Sequence, residues 1–450
     1  MYCKEIEPEK QDVPGRYYAC IDLKSFYASV ECVERGLDPF TTNLVVADPD
    51  RESGTICLAI TPAMKALGVK NRCRVFEIPR GIEYIMAKPR MRLYVNKSAD
   101  IYGIYLRYIS PDDIHVYSID ECFIDLTPYL KLYHTTPMEL VRRLTDAVFQ
   151  ETGITATAGV GTNLFLAKIA LDVMAKMAVD GLGFLDRDTF LKRIQPHRPI
   201  TDIWQVGGGI ARRLARYGVY DLEGVARLPE EVLYREFGVN AEYLIDHANG
   251  VEPCTMADIK TYRPSTNSHS VSQILFEPYS FDEGKIILRE MVEGATLDLI
   301  CAGKAAGTVA MSIAYNREGK FNDPKATRPP TGSSMRLSRP TNSLSYLTEV
   351  FLAMYDRTTD PHVPVRRVAL SFGMLVDECD VEADMFTDTE AEKREHSLLD
   401  AIVSIKSKFG KNSILRGHSF EAKATTRARN LMIGGHNADV DDDGENANNS

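Results

Sequence analysis

An apolar run from Arg16 to Ile21 is followed by a polar break and then by Phe26, Val30 and Val33 at i, i+4 and i+7. The run predicts a strand and the spacing a helix with one buried face. Residues 36–92 are cut by Gly and Pro into shorter pieces. Longer elements come next: a helix, strands across Ile114–Leu126, a helix over Met138–Thr152, a strand over Thr155–Val160 and a helix from Leu164. Residues 186–252 read as helical with glycine breaks. Glu252–Ser268 holds Pro253 and Pro264 with little periodicity and reads as a linker. Residues 269–430 then alternate strand and helix, with an amphipathic helix near Ser397–Phe409 and a Pro/Gly/Ser-rich loop at Asp323–Ser338. Many strands joined by short turns make the expected class α+β.

Composition narrows the classes. A chain of 450 residues suggests about three domains. With 44% hydrophobic and 26% charged residues it is neither a fibre nor a wholly disordered chain. No stretch approaches ~18 uncharged apolar residues, so no membrane-spanning helix is expected. Met1 to Gly15 lacks the basic start and apolar middle of a signal peptide, which makes a cytoplasmic location the expectation. The nine cysteines are odd in number and none has C-x-x-C spacing, so neither a disulfide framework nor a zinc site is expected.

A net charge of −10 would by itself speak against a nucleic-acid binder. Its distribution changes that. The tail Asn437–Ser450 carries five acids and no base, and it reads as disordered. Residues 377–400 carry ten acids against two bases. Residues 303–367 carry ten bases against five acids, and 403–429 seven bases against one acid. Acid is concentrated in two short segments, and two basic stretches remain free to meet phosphates.

Candidate chemistry lies at strand ends. In Ala19-Cys20-Ile21-Asp22-Leu23 an apolar strand delivers an aspartate just where it stops. In Val116 to Leu126 two apolar half-runs flank Asp120-Glu121. If those runs are antiparallel strands, the two acids sit at the turn and share a cleft. Three such carboxylates suit Mg²⁺, a hard ion that takes oxygen ligands and substrate phosphates. Two ions ~3.5–4 Å apart would clamp an in-line phosphoryl displacement. The alternative is a helix cap at Asp22 and a plain turn at Asp120-Glu121.

Asp22-Leu23-Lys24-Ser25-Phe26-Tyr27-Ala28-Ser29-Val30-Glu31, followed by Ser118-Ile119-Asp120-Glu121, resembles the Y-family (lesion-bypass) DNA polymerases of the bacterial UmuC/DinB type. The resemblance extends from about Tyr17 to Phe420. It implies a right-hand architecture: palm at 1–35 and 93–185, small fingers at 36–92, helical thumb at 186–252, a linker at 253–268, a little finger at 269–430 and an acidic tail at 431–450. It implies a palm in which Asp22, Asp120 and Glu121 are catalytic. Asp22, Asp120, Glu121 and the Leu23 carbonyl would hold two Mg²⁺. Tyr27 matches the aromatic gate that collides with a 2′-hydroxyl, with Phe26 beside it. Lys65 matches a base on the triphosphate. Pro62 stands where many members carry a tyrosine that donates to phosphate. Lys168 and Lys176 match nucleotide-binding lysines, with one extra residue between them.

Ile203 to Leu214 is similar to the helix-hairpin-helix of the family's thumb. There Gly207 and Gly209 would let the backbone approach a phosphate, and Arg212 and Arg213 would add charge. Gly208 departs from the usual apolar middle residue. No G-x-x-x-x-G-K-S/T occurs, so no ATPase motor is implied. Glu382-Ala383-Asp384-Met385-Phe386 is similar to the peptide that docks bacterial polymerases on a sliding clamp, Met385 and Phe386 filling the pocket and Glu382 replacing Gln.

The expected activity is template-directed, low-fidelity translesion synthesis from dNTPs on primer-template DNA, in damage tolerance and SOS mutagenesis. The rivals are a non-catalytic DNA-binding accessory protein and another palm-type enzyme such as a nucleotide cyclase.

Overall fold

The structure is a computed structural model and describes residues 15–49, 54–264, 267–316, 329–381 and 389–438. It divides into two compact units, residues 1–262 with 437–450, and residues 263–436. That junction falls inside the segment read as a linker. Part of that segment is ordered: Met256–Thr261 is a helix, capped by Thr255, with Met256 buried against the first unit.

The first unit is built on a five-stranded sheet in the order β5-β6-β1-β7-β8. These strands are β1 (Tyr18–Leu23), β5 (Ile114–Val116), β6 (Glu121–Asp125), β7 (Ala156–Gly161) and β8 (Leu182–Leu185). Helix α1 (Phe26–Glu34) follows β1 directly. A smaller sheet of β2 (Leu44–Val46), β3 (Ala59–Ile60) and β4 (Ile85–Ala87) carries the short helix α2 (Pro62–Ala66) around its own apolar core. The remaining helices are α3 (Met91–Leu106), α4 (Thr127–Leu132), α5 (Pro137–Thr152) and α6 (Leu164–Ile169). Short helices between residues 187 and 248 pack a separate core that includes Phe165 and Ile169 of α6.

The central strand β1 is apolar on both faces because helices cover both sides of the sheet, so Tyr18 to Ile21 are all buried. It starts two residues later than the apolar run suggests and continues to Leu23, which makes Asp22 its penultimate residue. On one face α6 and its continuation lie almost in backbone contact with β7. A Cβ on Gly159 would stand 2.1 Å from the Leu171 amide nitrogen, and one on Gly161 2.2 Å from that of Ala167. Only glycine permits this approach. Helix α5 begins with a capping box, the Glu139 amide donating to the Thr136 hydroxyl and the Thr136 amide to the Glu139 carboxylate.

The second unit is a four-stranded antiparallel sheet in the order β11-β10-β12-β9, from β9 (Ser268–Tyr279), β10 (Lys304–Tyr315), β11 (Thr331–Thr341) and β12 (Val365–Asp377). Helices Phe281–Cys301 and Leu344–Thr358 bury one face of it. Two expectations are corrected here. The stretch Asp323–Ser338 is not all loop, because Thr331 to Ser338 lie in β11, where pairing with β10 overrides the weak strand propensity of Gly and Ser. The helix expected at Ser397–Phe409 is longer, Thr389–Phe409; its first turns are charged and carry no apolar period. The eight described cysteines are free thiols. No helix among the described residues is long and apolar enough to cross a membrane.

Gly159→Ala or Gly161→Ala would drive a methyl group into the α6 backbone. Each substitution is expected to lower unfolding free energy by about 3 kcal/mol, read from the urea midpoint of the purified variant. A midpoint equal to the parent's would show that the helix can lift off β7 at no cost.

Candidate active site and nucleic-acid interface

Strands β1 and β6 pair antiparallel with Tyr18 opposite Asp125 and Asp22 opposite Glu121. The Leu23 amide donates to the Asp120 carbonyl at 2.9 Å. The Tyr117 and Ser118 amides both donate to the Glu121 carbonyl, at 2.9 and 3.0 Å, which closes the turn between β5 and β6. The Ser98 hydroxyl, from α3, donates to the Ile119 carbonyl at 2.5 Å, and the Ser118 hydroxyl to the Asp120 carboxylate at 2.7 Å. Asp22, Asp120 and Glu121 therefore come from two distant stretches of chain to one end of neighbouring strands.

Two lysines approach these acids from one helical stretch. The Lys168 ammonium lies 2.6 Å from Glu121 Oε1 and 3.1 Å from Asp172 Oδ2. The Lys176 ammonium lies 2.7 Å from Asp172 Oδ1 and 3.9 Å from Asp22 Oδ2. Between them α6 runs into a π-helical turn over Ala170–Met174. A π-turn holds one residue more than an α-turn, which takes up the extra residue between the two lysines. The Cys20 thiol, fully buried, donates to Glu121 Oε1 at 3.0 Å.

Burial pushes the Asp22 carboxyl up to about 6; Lys176 opposes the shift, while Asp120 and Glu121 add to it. The site is thus short of positive charge. Its donors are carboxylate oxygens, which a hard divalent cation prefers, and such a cation would supply the missing charge. No three Asp, Glu, His or Cys side chains are already drawn together at ligating distance among the described residues. The donor chemistry fits Mg²⁺, with one Asp120 oxygen engaged by the Ser118 hydroxyl and Glu121 by Lys168. Lys65 is exposed on α2, and the charges acting on it are Asp22, Lys176 and Lys24.

Tyr27 and Phe26 separate. Phe26 is 2% exposed and belongs to the core, so its ring is not presented to the site. Tyr27 is half-buried, and burial, then the charge of Asp120, raises its phenol above the usual range. Its ring stacks on Tyr94 at 4.5 Å between centroids and 17° between planes. The Tyr94 hydroxyl donates to Glu31 Oε1 at 2.7 Å, and Arg90 donates to both Glu31 oxygens at 2.9 and 2.7 Å. Arg35 also reaches the same carboxylate. Glu31 is wholly buried; burial works against its ionised form, but these hydrogen bonds outweigh it and hold its carboxyl below the usual range. Ser25 joins β1 to α1 in a left-handed conformation, φ 52°.

The hairpin lies in the same unit, on a different element from the acids. Its turn is Ile203-Trp204-Gln205-Val206, closed by the Val206 amide donating to the Ile203 carbonyl at 3.0 Å. Ile203 and Val206 are its buried apolar residues, and Gln205 sits at φ 67°, where glycine is favoured. Gly207 caps the helix Gly208–Ala215, so Gly208 and Gly209 are its first residues. Gly208 has open space around it, with nothing within 4 Å of where a Cβ would stand. Arg212 is exposed, whereas Arg213 is drawn inward, donating to the Glu236 carbonyl at 2.7 Å and lying 4.3 Å over the Phe237 ring. Trp204, in the turn, donates from Nε1 to the Tyr117 hydroxyl at 3.2 Å. Met385 and Phe386 lie outside the described residues.

Asp172, Cys20, Tyr94, Arg90 and the role of Glu31 escaped sequence reasoning. Asp172 had a signal, since Lys168, Asp172 and Lys176 recur at i, i+4 and i+8. Tyr94 and Arg90 had none, because they meet Glu31 only through the tertiary fold.

The sequence profile of the impB/mucB/samB family matches residues 21–172, and that of the family's C-terminal domain matches residues 266–385. The chain is 29% identical over 430 residues to the UV-damage repair protein UvrX of Bacillus subtilis (strain 168), covering 94% of this chain and 98% of that protein. It is 29% identical over 426 residues to DNA polymerase IV 2 of the same organism, covering 92% and 97%. Among solved structures it resembles the Y-family DNA polymerase chimera Dbh-Dpo4(243-245)-Dbh, with TM-score 0.61 and 20% identity over 80% of this chain and 99% of that one. The last likeness concerns the fold, which is α+β as expected.

A non-glycine residue in the left-handed region costs roughly 1–2 kcal/mol. Gln205→Gly is therefore expected to raise unfolding free energy by about 1 kcal/mol in urea denaturation, after the greater freedom of glycine in the unfolded chain is set against it. A clear loss of stability would mean that the Gln205 side chain, not its backbone, matters to the fold.

Proposed function

The chain belongs to the impB/mucB/samB family of lesion-bypass DNA polymerases, and from that premise we propose that primer extension takes place at the Asp22–Asp120–Glu121 end of the five-stranded sheet. It is a DNA-directed DNA polymerase that acts in translesion synthesis. The observation that carries the site assignment is the β1–β6 register, which sets Asp22 opposite Glu121 and next to Asp120.

Asp22 and Asp120, with the Leu23 carbonyl and Glu121, are the residues to hold two Mg²⁺. Bound there, the ions supply Lewis-acid activation of a primer 3′-hydroxyl and neutralise charge on a triphosphate. The rest falls to the chain. Lys168 neutralises Glu121 and fixes its carboxylate from below. Lys176 and Lys65 face the phosphates of the incoming nucleotide as point charges. Tyr27, backed by the Tyr94 ring, stands where a ribose 2′-hydroxyl would collide with it. Phe26 serves by packing behind the gate.

In this reading residues 1–35 and 93–185 form the palm and the small sheet at 36–92 the fingers. So small a fingers layer checks base-pair shape loosely, which accounts for low fidelity. The helices at 186–252 form the thumb, whose Gln205–Gly209 backbone and Arg212 meet DNA phosphates. In the second unit the sheet face away from the helices carries Ser270, Ser272, Thr308, Ala310, Ala369 and Ser371, small side chains between Arg336 and Arg367. Such a face lets a duplex backbone approach closely and holds it by charge, without reading sequence. Met385 and Phe386 are proposed as the sliding-clamp contact on the strength of the sequence.

Asp22→Ala and Glu121→Ala each remove a group worth several kcal/mol of transition-state stabilisation. Primer extension is expected to fall about 10²-fold or more, while DNA affinity measured by fluorescence anisotropy stays at the parental value. Extension at the parental rate by either variant would refute the site. Tyr27→Ala removes the steric clash and is expected to raise ribonucleotide incorporation relative to deoxynucleotide by about one to three orders of magnitude, from kcat/KM for each. Equal ratios in the two enzymes would remove Tyr27 from that role.

A further inference from the structure

We infer that Asp172 is a positioning residue that holds the Lys176 ammonium beside the triphosphate site and off the Asp22 carboxylate, an inference resting on the reading of Lys176 as a nucleotide contact and Asp22 as a cation ligand. The five groups form a row of alternating sign: Glu121, Lys168, Asp172, Lys176, Asp22. Their separations are unequal. Lys168 is 2.6 Å from Glu121 and 3.1 Å from Asp172, Lys176 is 2.7 Å from Asp172, and the gap from Lys176 to Asp22 is 3.9 Å. Only the last pair is not in direct hydrogen-bonding contact.

That difference has a chemical consequence. An ammonium seated on Asp22 would occupy the place of a metal cation and satisfy the same oxygens. Lys176 has the reach to do this, since its ammonium already lies 3.9 Å from Asp22 Oδ2 and its side chain is 47% exposed. What it meets first is Asp172. Asp172 in turn is fixed by Lys168, whose side chain is 8% exposed and which is locked onto Glu121. The π-turn over Ala170–Met174 carries Asp172 between the two lysines. Neutralising Asp172 leaves Asp22 as the nearest carboxylate to Lys176. Lys176 then moves onto Asp22, away from the nucleotide and into competition with the cation.

The test uses the full chain with Asp172→Asn, Asp172→Glu, Lys176→Ala and the double variant Asp172→Asn/Lys176→Ala. Mn²⁺ binding is measured by water-proton relaxation without DNA or nucleotide, and KM and kcat for dNTP are measured in Mg²⁺-supported primer extension. Asp172→Asn is expected to weaken Mn²⁺ about tenfold and to raise dNTP KM far more than it lowers kcat. The double variant recovers parental Mn²⁺ affinity because the competing ammonium is gone. Asp172→Glu, which keeps the charge, stays within about threefold of the parent. Parental Mn²⁺ affinity in Asp172→Asn would overturn the proposal, as would a double variant that binds Mn²⁺ as weakly as Asp172→Asn. An unchanged dNTP KM in Lys176→Ala would instead strike the reading of Lys176 itself, and parental Mn²⁺ affinity in Asp22→Ala that of Asp22.

Discussion

The antiparallel pairing of β1 with β6 is the constraint on which the site depends. Asp22 stands opposite Glu121 because the register runs without a shift from Tyr18–Asp125 to the strand ends. A slip of one residue would turn Asp22 and Glu121 to opposite faces of the sheet. Slippage is resisted by the burial of Tyr18 to Ile21 on both faces, because each of these side chains has a fitted place in the core. The acids pay nothing toward this pairing and gain their placement from it. The turn that carries Asp120 is pinned separately, by the doubly accepting Glu121 carbonyl and by Ser98 from α3.

A second layer of constraint comes from glycine. Gly159 and Gly161 lower α6 onto β7 until backbones nearly touch, and that depth lets Lys168 reach Glu121 from beneath the sheet end. A larger residue at either position would lift the helix and, with it, the two lysines and Asp172. On the far side of Asp22, the buried Glu31 carboxylate ties Arg90 and Tyr94 of the α3 region to α1. Removing one member of such a cluster leaves a buried charge uncompensated, at a cost of about 3–5 kcal/mol. The Tyr27 ring rests on that tethered Tyr94. The site is thus held from two sides by elements whose own positions are set by close packing and by charge.

Much of this was legible in the sequence, and the misses have physical reasons. Apolar runs that stop at acids reveal Asp22 and Asp120-Glu121, because a buried strand must be apolar and an exposed end need not be. The left-handed conformation of Gln205 was not legible, because glutamine gives no local sign of a positive φ. Arg212 and Arg213 are indistinguishable in sequence; only the fold decides that Arg213 turns back on Glu236 and Phe237. Tyr27 and Phe26 are equally aromatic, and only the fold puts one in the core and leaves the other half-buried. The strand β11 was hidden because its propensity is low and its partner, β10, supplies the pairing. Tyr94 meets Tyr27 across 67 positions of sequence, a distance over which no local pattern operates.

The electrostatic state of the site follows from these placements. Three carboxylates stand at one end of neighbouring strands with two ammoniums near them, Asp22 where burial already disfavours charge, and Asp172 adds a fourth negative group. Lys168 lies between Glu121 and Asp172, while Lys176 contacts Asp172 and stands 3.9 Å from Asp22, so the acids outnumber the cations. A polymerase benefits from that imbalance, because a fully paired site would have to break an ion pair before accepting metal or triphosphate, whereas an under-neutralised one gains on binding the cation first. The ordering of charge along one helical stretch, rather than the count of acids, then decides which carboxylate remains available. Lys176, half exposed and tethered at a single carboxylate, is the member of the row that can change partner without disturbing the buried pair beneath it.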